Sequence, residues 1–573
     1  MALMASSYKR YGWAALLFAF CVIAAVRLLD ASHHNSGTND EGAHLAAGME
    51  WLERHTYYVE ELHPPLARVL AALPLYMNGV RMKAEKRNAP CTTPFPVYYD
   101  RIIESQKKGF FISRCWNTGD FALLKHGNSL KNLMAARYSG IGWMILGTLY
   151  LYVLTARLAD RETALAAAFI WTMTPLALEH AGLATTDLAA AAAVVMAMAH
   201  AVIWLQCRSW RNAMGLGFAF TVCGLVKFSA LMYAGLLFIP LLLWESRRQY
   251  LRGSLKSFSS RGVLHGAIAV AILLFTTWAA YWFQIGRLAD VFPSAYHAML
   301  ERPDSLLGAL SSLRLLPMPE WFMGWVFAGL KNAKGHATYL LGTPLNDVAV
   351  WYFFPVALWF KMPLSIWAMA IAAVSLGIRR RRHWLIWPVL WCAIILLVSM
   401  TGNINLGARH ILPLIPFLSM IAAAGMILLW QYNLAGRVIS IGLSVWLASI
   451  SLYAHPHYLS FFNQTAGNHP EKILVDSDLA WGQDFGRLVS ELKKRDLRHV
   501  MICSDEYPRF KEYSRNVQNR IYRYCPTSAP EKGWMIFGYN MYFKSKPDRF
   551  DWLKSYTPVA KIGDSYELYH FGK

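Results

Sequence analysis

The chain has 573 residues, of which 55% are hydrophobic and 16% are charged, and its formal net charge is +21. This length would accommodate several soluble domains, but many segments lack a polar face, so the composition favours a membrane protein. The basic residues are scattered between apolar runs, which fits loop charges that set membrane orientation better than it fits a nucleic-acid surface.

The first apolar run, residues 11–29, follows Lys9 and Arg10 and is too long for the core of a typical signal peptide. It predicts an uncleaved anchor with a cytoplasmic N-terminus. Ten further runs also predict membrane spans, which brings the expected total to about eleven. These runs lie near 133–156, 162–179, 187–206, 212–226, 228–244, 264–283, 349–377, 384–401, 411–430 and 437–455.

Short loops rich in Lys and Arg separate several of these runs, as the positive-inside rule requires of cytoplasmic loops. The clearest are the stretch 245–262 and the arginine block 379–382. An odd number of spans then places the C-terminus on the outer side. Three long segments are therefore expected outside the membrane, at about 30–131, 284–347 and 456–573.

The last outer segment differs in composition from the rest and predicts a small α/β domain. "HVMICSDEY", "GWMIFGYN" and "SYELYHF" are typical of short strands, and "FGRLVSELKKR" has the apolar spacing of a helix. We therefore divide the chain into a transmembrane domain, residues 1–455, and an outer α/β domain, residues 456–573.

The outer segments contain two pairs of cysteines, Cys91 with Cys115 and Cys503 with Cys525. An oxidising compartment favours one disulfide within each pair, and four free thiols are the alternative. Neither pair has the ligand spacing of a zinc site.

Several polar residues lie at or near the ends of spans, all on the predicted outer side. Charges at bilayer depth are costly, so each such residue is a functional candidate. The residues are Asp40, Glu41 and His44 after the first span, His180 and Asp187 in "HAGLATTD", Lys227 in "GLVKFSA", Lys361 in "WFKMPLS", and Asn403, Asn405, Arg409 and His410 in "TGNINLGARHILP".

These residue types suit the transfer of a group from a phosphate-linked lipid to an acceptor. A carboxylate accepts a proton from an attacking hydroxyl, and Lys and Arg bind phosphate. Structural alternatives exist, since Asp40 is also a plausible solvated boundary residue and Asp187 a plausible helix N-cap. Lys361 would alternatively snorkel towards the headgroups. Arg409 and His410 would alternatively contact lipid phosphates.

Motifs in chain order resemble those of the GT-C membrane glycosyltransferases, in the broad family of protein O-mannosyltransferases and lipid A aminoarabinose transferases. In that family an Asp-Glu motif follows the first span, here Asp40-Glu41, and a His-Pro-Pro-Leu motif follows it, here residues 63–66. The family's next basic residue corresponds to Arg68, and the acidic end of its second outer-loop motif corresponds to Asp187.

A bacterial subgroup of this family is similar over further stretches of the chain. They are "YLLG" at 339–342, "WYFFPVALWFKMPL" at 351–364, "NLGARHILPLIP" at 405–416, "HYLSFFNQTAG" at 457–467 and "LVDSDLAWGQDFGRL" at 474–488. The last motif usually has an Asp before the Trp, where this chain has Ala480, so the role of that position is left open.

The resemblance implies a GT-C fold and an inverting, metal-independent transfer of a sugar from a polyprenyl phosphate. It implies chemistry on the periplasmic side of a bacterial inner membrane, in a multi-pass protein. The catalytic candidates are Asp40 as the base with Glu41 and Asp187, the donor-phosphate candidates are Arg68, Lys227, Lys361, Arg409 and His410, and the substrate-binding candidates are His44, His63, His180, Trp481 and Gln483.

The expected partners are the polyprenyl-phosphate donor, membrane lipid, and an envelope glycan, lipid or protein as acceptor, without nucleic acid. No cofactor is expected, and nothing in the sequence supports a divalent metal. Two alternatives stay open: a transporter or flippase of lipid-linked sugars, and an oligosaccharide transferase that moves a whole glycan.

In the tail, Asp484 is a candidate helix cap.

Overall fold

The computed structural model describes residues 2–57, 59–82, 129–292, 296–301, 306–313, 315–345, 348–504, 520–523, 525–530, 532–545 and 548–572. Long apolar helices form most of it, and a five-stranded sheet lies near the C-terminus. The predicted class, a polytopic α-helical membrane protein with a C-terminal α/β region, is confirmed. Cys91 and Cys115 lie outside the described residues.

The described residues of the first half of the chain are mostly helical, because apolar runs satisfy their backbone groups internally as helices. Its helices are Ala2–His34, Glu41–Arg54, Pro65–Met77, Ser129–Leu158, Arg161–Met173, Pro175–Ala181, Asp187–Gln206, Trp210–Val226, Phe228–Leu251 and Leu255–Ala280.

The second half adds short outer helices, further spans and the C-terminal helices. They are Leu288–Val291, His297–Leu300, Leu306–Ser311, Pro319–Lys334, Phe353–Lys361, Leu364–Arg379, Ile386–Met400, Ile415–Trp430, Leu434–Tyr453, Phe485–Lys494 and Tyr539–Phe543. Two small antiparallel hairpins lie between them, pairing Ile285–Gly286 with Leu316–Pro317 and Thr338–Leu340 with Thr343–Leu345.

Within the described residues, eight helices are long and apolar enough to cross a membrane. A ninth span arises if Phe353–Lys361 and Leu364–Arg379 count as one, although these two helices meet at 107°. The apolar run predicted at 349–377 is therefore divided into two helices, because Pro363 lacks the N–H needed to continue the first helix. The total of about eleven stays a prediction.

The helix Asp187–Gln206 lies at the centre of the bundle and is buried on nearly every side. It packs against Ser129–Leu158 and Trp210–Val226. Its run of alanines, residues 189–193, leaves little side-chain bulk, so neighbouring helices approach closely. This close packing fixes the position of Asp187 at the first turn of the helix.

The C-terminal sheet has the order Arg520–Arg523, His499–Cys503, Gly533–Gly538, Tyr566–Phe571 and Ala560–Ile562. The first three strands run parallel, and the last two join antiparallel. The three strands and the helix predicted from the sequence are all present. Leu488 and Leu492 of that helix pack on the sheet, and a disulfide joins Cys503 to Cys525.

The segment between the last long helix and the sheet packs back onto the bundle. It contains four short 3-10 turns at Tyr458–Ser460, Gln464–Ala466, Pro470–Lys472 and Asp476–Asp478. Its backbone accepts hydrogen bonds from the bundle, so it brings the "DSDLAWGQD" motif to the helix ends.

Candidate active site

Four charged side chains form a continuous chain at the helix ends. Arg409 Nη1 lies 2.6 Å from Asp40 Oδ2 and 3.9 Å from Asp187 Oδ2. Lys227 Nζ lies 2.6 Å from the other Asp187 oxygen, Oδ1. Two carboxylates and two cations therefore alternate, and their formal neutrality reduces the cost of burying them. Asp40 and Lys227, with side chains 17% and 13% exposed, are the accessible ends of the chain.

Each of these four residues lies where a helix begins or ends. Asp40 directly precedes the helix that starts at Glu41, and Asp187 is the first residue of its helix. Lys227 is an extended residue between two helices, and Arg409 lies in the 3-10 turn before the next span. The interruptions between successive helices thus bring together four residues that are distant in the sequence.

The turn that carries Arg409 depends on Gly407, whose φ of 101° favours glycine. A Cβ on Gly407 would collide with the side chains of Ser477 and Asp478. Asp478 Oδ1 also accepts a hydrogen bond from the Ala408 N–H at 3.0 Å. The tail motif therefore holds the turn in place through Ser477 and Asp478.

Trp481 supports the guanidinium of Arg409. Its indole is 2% exposed, and Arg409 Cζ lies 4.3 Å from the centre of the ring. Such a cation–π contact both attracts the guanidinium and fixes the plane in which it lies. Trp481 therefore holds Arg409 in position, and its predicted contact with substrate stays a prediction.

The tail motif also holds the loop that precedes Asp40. The Asn39 N–H donates to the Trp481 carbonyl at 3.0 Å, and the Ser36 N–H donates to the Gln483 carbonyl at 2.9 Å. These two bonds join residues more than 400 positions apart in sequence. They fix the approach of the chain to Asp40.

The side chains of Gln483 and Asp484 make hydrogen bonds to other residues of the C-terminal segment. The Gln483 side chain accepts from the Trp481 N–H at 2.8 Å and donates to the Leu479 carbonyl at 2.7 Å. Asp484 stands at the N-cap position but does not cap its helix, because Oδ2 accepts from the Ser565 hydroxyl at 2.7 Å. The capping interpretation of Asp484 is therefore wrong.

Glu41 forms a closed, buried ion pair with Arg137. Both carboxylate oxygens lie 2.8 Å from guanidinium nitrogens. The backbone N–H groups of Thr38 and Ala184 also donate to Glu41, each at 2.8 Å. Burial alone would raise the pKa of Glu41, but the charge and hydrogen bonds of Arg137 lower it below its ordinary value. Glu41 therefore positions the loop and has no side-chain face left for substrate.

His44, Glu60, His63 and Arg68 form a second cluster beside the chain. Arg68 Nη1 lies 2.6 Å from Glu60 Oε2, and His63 Nδ1 lies 3.2 Å from both oxygens of Glu60. The rings of His44 and His63 meet edge to face, with centroids 5.1 Å apart. Burial, and then the charge of His63, lower the pKa of His44 to about 4. Burial would raise the pKa of Glu60, but His63 and Arg68 lower it to about 2.

Lys361 is fully buried. Its ammonium donates to the carbonyls of Leu459 and Asp478, at 2.7 and 2.8 Å, and lies 3.3 Å from Glu179 Oε2. His180 pairs with the other Glu179 oxygen at 3.2 Å. This cluster joins the bundle to the tail, and its two predicted site residues, Lys361 and His180, are enclosed by protein.

The remaining predicted residues are His410, Asn405 and Asn403. His410 is half-buried, and its ring centroid lies 6.4 Å from that of Phe354. Asn405 is buried and donates to the Val350 carbonyl at 3.2 Å, whereas Asn403 is exposed. Asn405 therefore supports the backbone near Arg409.

Sequence reasoning missed three residues that hold the site together: Arg137, Glu179 and Asp478. Arg137 and Glu179 lie within apolar runs, so the rule that singled out Lys361 would also have found them. Asp478 lies within the quoted tail motif, but its role depends on contacts with Ala408 and Lys361 that no local pattern indicates.

Residues 122–282 match the model of the family described as dolichyl-phosphate-mannose-protein mannosyltransferase. This range includes Asp187 and Lys227 and ends before Arg409. The resemblance to protein O-mannosyltransferases is confirmed over this range, and it supports the predicted class, a membrane glycosyltransferase. No curated sequence matches the chain.

Three solved structures are similar to this chain at low sequence identity. ArnT from Cupriavidus metallidurans bound to undecaprenyl phosphate is 13% identical over 97% of this chain and 98% of that chain, with a TM-score of 0.46. The apo form of that protein is 13% identical, covers 98% of both chains and has a TM-score of 0.48. The Archaeoglobus fulgidus oligosaccharyltransferase tethered with an acceptor peptide is 12% identical over 94% of this chain and 70% of that chain, with a TM-score of 0.47.

Proposed function

We propose that this protein is an inverting glycosyltransferase that moves a sugar from a polyprenyl-phosphate donor to an acceptor at the periplasmic face of a bacterial inner membrane. The acceptor offers a hydroxyl or phosphate on an envelope glycan, lipid or protein. Asp40 acts as the general base, Arg409 and Lys227 bind the donor phosphate, and Asp187 holds the two cations in place.

The observation that carries this proposal is the unused hydrogen-bonding capacity of the four-residue chain. Arg409 contacts both carboxylates through Nη1 and a backbone carbonyl through Nε, so Nη2 has no partner within the described part of the chain. Lys227 makes a single such contact, to Asp187. Asp40 is bound through Oδ2, which leaves Oδ1 without a partner among the same residues.

Two of the other three predicted phosphate ligands, Arg68 and Lys361, contrast with this pair. All three nitrogens of the Arg68 guanidinium donate to protein oxygens, on Glu60, His63 and Pro64. The Lys361 ammonium has three protein oxygens around it. Binding a phosphate would require either cation to leave these buried partners, which is costly. We therefore keep Arg409 and Lys227 as the phosphate ligands.

The proposed step forms one glycosidic bond and breaks one. The acceptor hydroxyl oxygen attacks the anomeric carbon from the face opposite the phosphate, while Asp40 Oδ1 takes the hydroxyl proton. The bond between the anomeric carbon and the phosphate oxygen breaks, and its electron pair leaves with polyprenyl phosphate. Attack from the opposite face inverts the configuration of the anomeric carbon.

The position of Arg409 between Asp40 and the phosphate site has an electrostatic consequence. During transfer Asp40 loses its negative charge by protonation, while the departing phosphate gains one. Arg409 lies beside Asp40 and offers Nη2 to the phosphate, so its charge stays paired as the negative charge moves. Donors that are already oriented towards the developing charge lower the barrier without reorganising.

The proposed side of the membrane follows from the two ends of one helix. Asp187 begins a helix of 20 residues, and the basic residues Arg208 and Arg211 follow its end. Such a helix is about 30 Å long, close to the thickness of the hydrocarbon core. Since short basic loops favour the cytoplasm, the Asp187 end belongs on the periplasmic side.

The proposal is tested with the purified full-length protein in sealed proteoliposomes. Undecaprenyl phosphate carrying a tritiated hexose serves as the donor, and envelope lipids and periplasmic proteins serve as acceptors. We expect labelled acceptor from the wild type and about a hundred- to ten-thousand-fold less from Asp40→Asn. Asp30→Asn is the matched control. Asp30 is half-exposed, pairs with His455 and makes no contact with Asp40, Asp187, Lys227 or Arg409 among the described residues.

Three outcomes would contradict the proposal. Near wild-type transfer by Asp40→Asn would remove Asp40 from the mechanism. Movement of labelled donor across the bilayer without any glycosidic product would favour the transporter. Transfer only when the donor carries a complete oligosaccharide would favour the oligosaccharide transferase.

A further inference from the structure

A second group of side chains beside the four-residue chain has the composition of a metal site. His44, Glu60 and His63 each offer one ligand atom, and these three atoms lie within 4.8 Å of one another. Imidazole nitrogens and a carboxylate oxygen are ligands that Zn²⁺ binds in proteins. The proposed transfer reaction makes no use of such an ion.

Two separate elements supply these ligands. His44 lies one turn after Asp40, since its N–H donates to the Asp40 carbonyl at 3.1 Å. Glu60 and His63 lie in the loop before the helix that begins at Pro65. A shared ion would therefore join the helix that follows Asp40 to the His-Pro-Pro-Leu loop.

His44 provides an independent indication that something binds here. Its side chain is 5% exposed, and Nδ1 has no hydrogen-bond partner within the residues that the structure describes. A buried polar atom without a partner costs free energy, and a ligand at that atom removes the cost. The nearest ring is that of His63, a second potential ligand.

The carboxylate of Glu60 is already oriented by other groups. Arg68 donates to Oε2 at 2.6 Å, and the Leu62 N–H donates to Oε1 at 3.0 Å. Outer groups that hold a ligand in place in this way are typical of metal sites. The guanidinium of Arg68 also donates to the carbonyls of Glu60 and His63, which fixes it on the Oε2 side of the Glu60 carboxylate.

We propose that His44, Glu60 and His63 bind one divalent transition-metal ion, with Zn²⁺ as the best fit. Two imidazoles and one carboxylate suit Zn²⁺ better than Ca²⁺ or Mg²⁺, which prefer oxygen ligands. Three protein ligands leave one tetrahedral position for water or substrate. The ion fixes the helix that follows Asp40 against the loop, and it takes no part in the bond changes of transfer.

The alternative is a metal-free cluster in which His63 simply donates to Glu60. That arrangement satisfies His63 and Glu60 but leaves His44 Nδ1 without a partner. Direct measurement of bound metal separates the two arrangements. It requires neither donor nor acceptor, so its outcome is independent of whether the protein transfers sugar.

The experiment uses tag-free, full-length protein purified with chelator and then dialysed against Zn²⁺ alone. We expect about one equivalent of zinc in the wild type, measured by mass spectrometry of the metal. His44→Gln, Glu60→Gln and His63→Gln should each lower the affinity by at least about a hundredfold. His469→Gln is the matched control, because His469 pairs with one carboxylate, Glu471, at an exposed position. It should retain the full equivalent.

A second measurement uses only the wild type, so it does not depend on the folding of any variant. Replacing zinc by Co²⁺ should give the visible absorption of a four-coordinate site, and added Zn²⁺ should abolish that absorption. Zinc content below a tenth of an equivalent in the wild type would overturn the proposal. So would undiminished zinc in all three ligand variants, or a Co²⁺ spectrum identical to that of Co²⁺ in buffer.

Discussion

Asp40 and Glu41 are neighbours in sequence, yet the structure gives them opposite environments. Glu41 is 1% exposed, and both of its oxygens are bound by Arg137 and by backbone N–H groups. The Asp40 side chain is 17% exposed and uses one oxygen, on Arg409. One carboxylate therefore belongs to a closed cluster and the other to an open one.

The difference shows that a buried ion pair and a reactive one are distinguished by their unused atoms. A closed cluster holds the backbone in place, because every donor and acceptor already has a partner. An open cluster keeps atoms with which substrate can interact. Arg409 and Lys227 resemble Asp40 in this respect, whereas Arg68 and Lys361 resemble Glu41.

The largest expected effect is a loss of stability on substitution in the closed cluster of Glu41 and Arg137. Glu41→Gln retains the shape of the side chain but leaves Arg137 buried without its counter-charge. Removing one partner of a buried pair costs about 3–5 kcal/mol. We therefore expect a marked fall in the unfolding temperature of the detergent-purified protein. The fraction that remains folded after heating is measured by size-exclusion chromatography.

Asp40→Asn is the matched control for Glu41→Gln, because it makes the same chemical change one residue earlier. Its unfolding temperature should fall less than that of Glu41→Gln, since Asp40 is partly solvated and Arg409 keeps Asp187 as a second counter-charge. A Glu41→Gln protein that is as stable as the wild type but inactive would break the comparison, and Glu41 would then belong to the chemistry.

The next effect tests the open cluster. Arg409→Ala removes the proposed phosphate ligand, and a hydrogen bond to a charged group contributes about 1.5–3 kcal/mol. We expect the KM for the donor to rise about ten- to a hundredfold, with little change in the KM for the acceptor. Initial rates measured while each substrate is varied separately would show this.

Arg380→Ala is the control for Arg409→Ala, because Arg380 lies in the basic block predicted to face the cytoplasm and is exposed. It should leave both KM values unchanged. A selective rise in the KM for the acceptor with Arg409→Ala would instead assign the phosphate to Lys227 alone.

The sequence predicted the class of fold well, but several helices extend beyond the apolar runs that predicted them, as Ala2–His34, Phe228–Leu251 and Leu255–Ala280 do. Apolar runs and basic loops act locally, so the helices and the three strands of the tail could be located from composition and periodicity. The break at Pro363 was missed, although proline gave a local signal. The run at 349–377 was long enough to hide it.

The division of roles among the charged residues could not be predicted. Glu41 and Arg137 are 96 positions apart, and Lys361 reaches a carbonyl 117 positions away. The sequence analysis predicted both Lys361 and Arg409 as donor-phosphate ligands, because both are cations near the ends of spans. Only the folded chain shows that Lys361 is surrounded by protein oxygens.

The smallest expected effect concerns Asp478, a carboxylate that fits neither type of cluster fully. It is 1% exposed, Oδ1 accepts from Ala408, and Oδ2 has no hydrogen-bond partner within the described residues. Burial raises the pKa of Asp478 to about 6, although the charge of Lys361 opposes the rise and Glu179 adds to it. The folded protein therefore holds this proton to a higher pH than the unfolded chain does.

The sign of the pH dependence follows from this difference in proton binding. Between about pH 4 and pH 6 the unfolded chain has released the Asp478 proton and the folded protein has not, so stability falls as the pH rises. Asp478→Asn cannot titrate and should lack this component, which amounts to about 2 kcal/mol. The difference in unfolding temperature between variant and wild type should therefore move in favour of the variant from pH 4 to pH 7. A constant difference across this range would show that folding does not raise the pKa of Asp478, and Asp478 would then belong with Glu41 in the closed type.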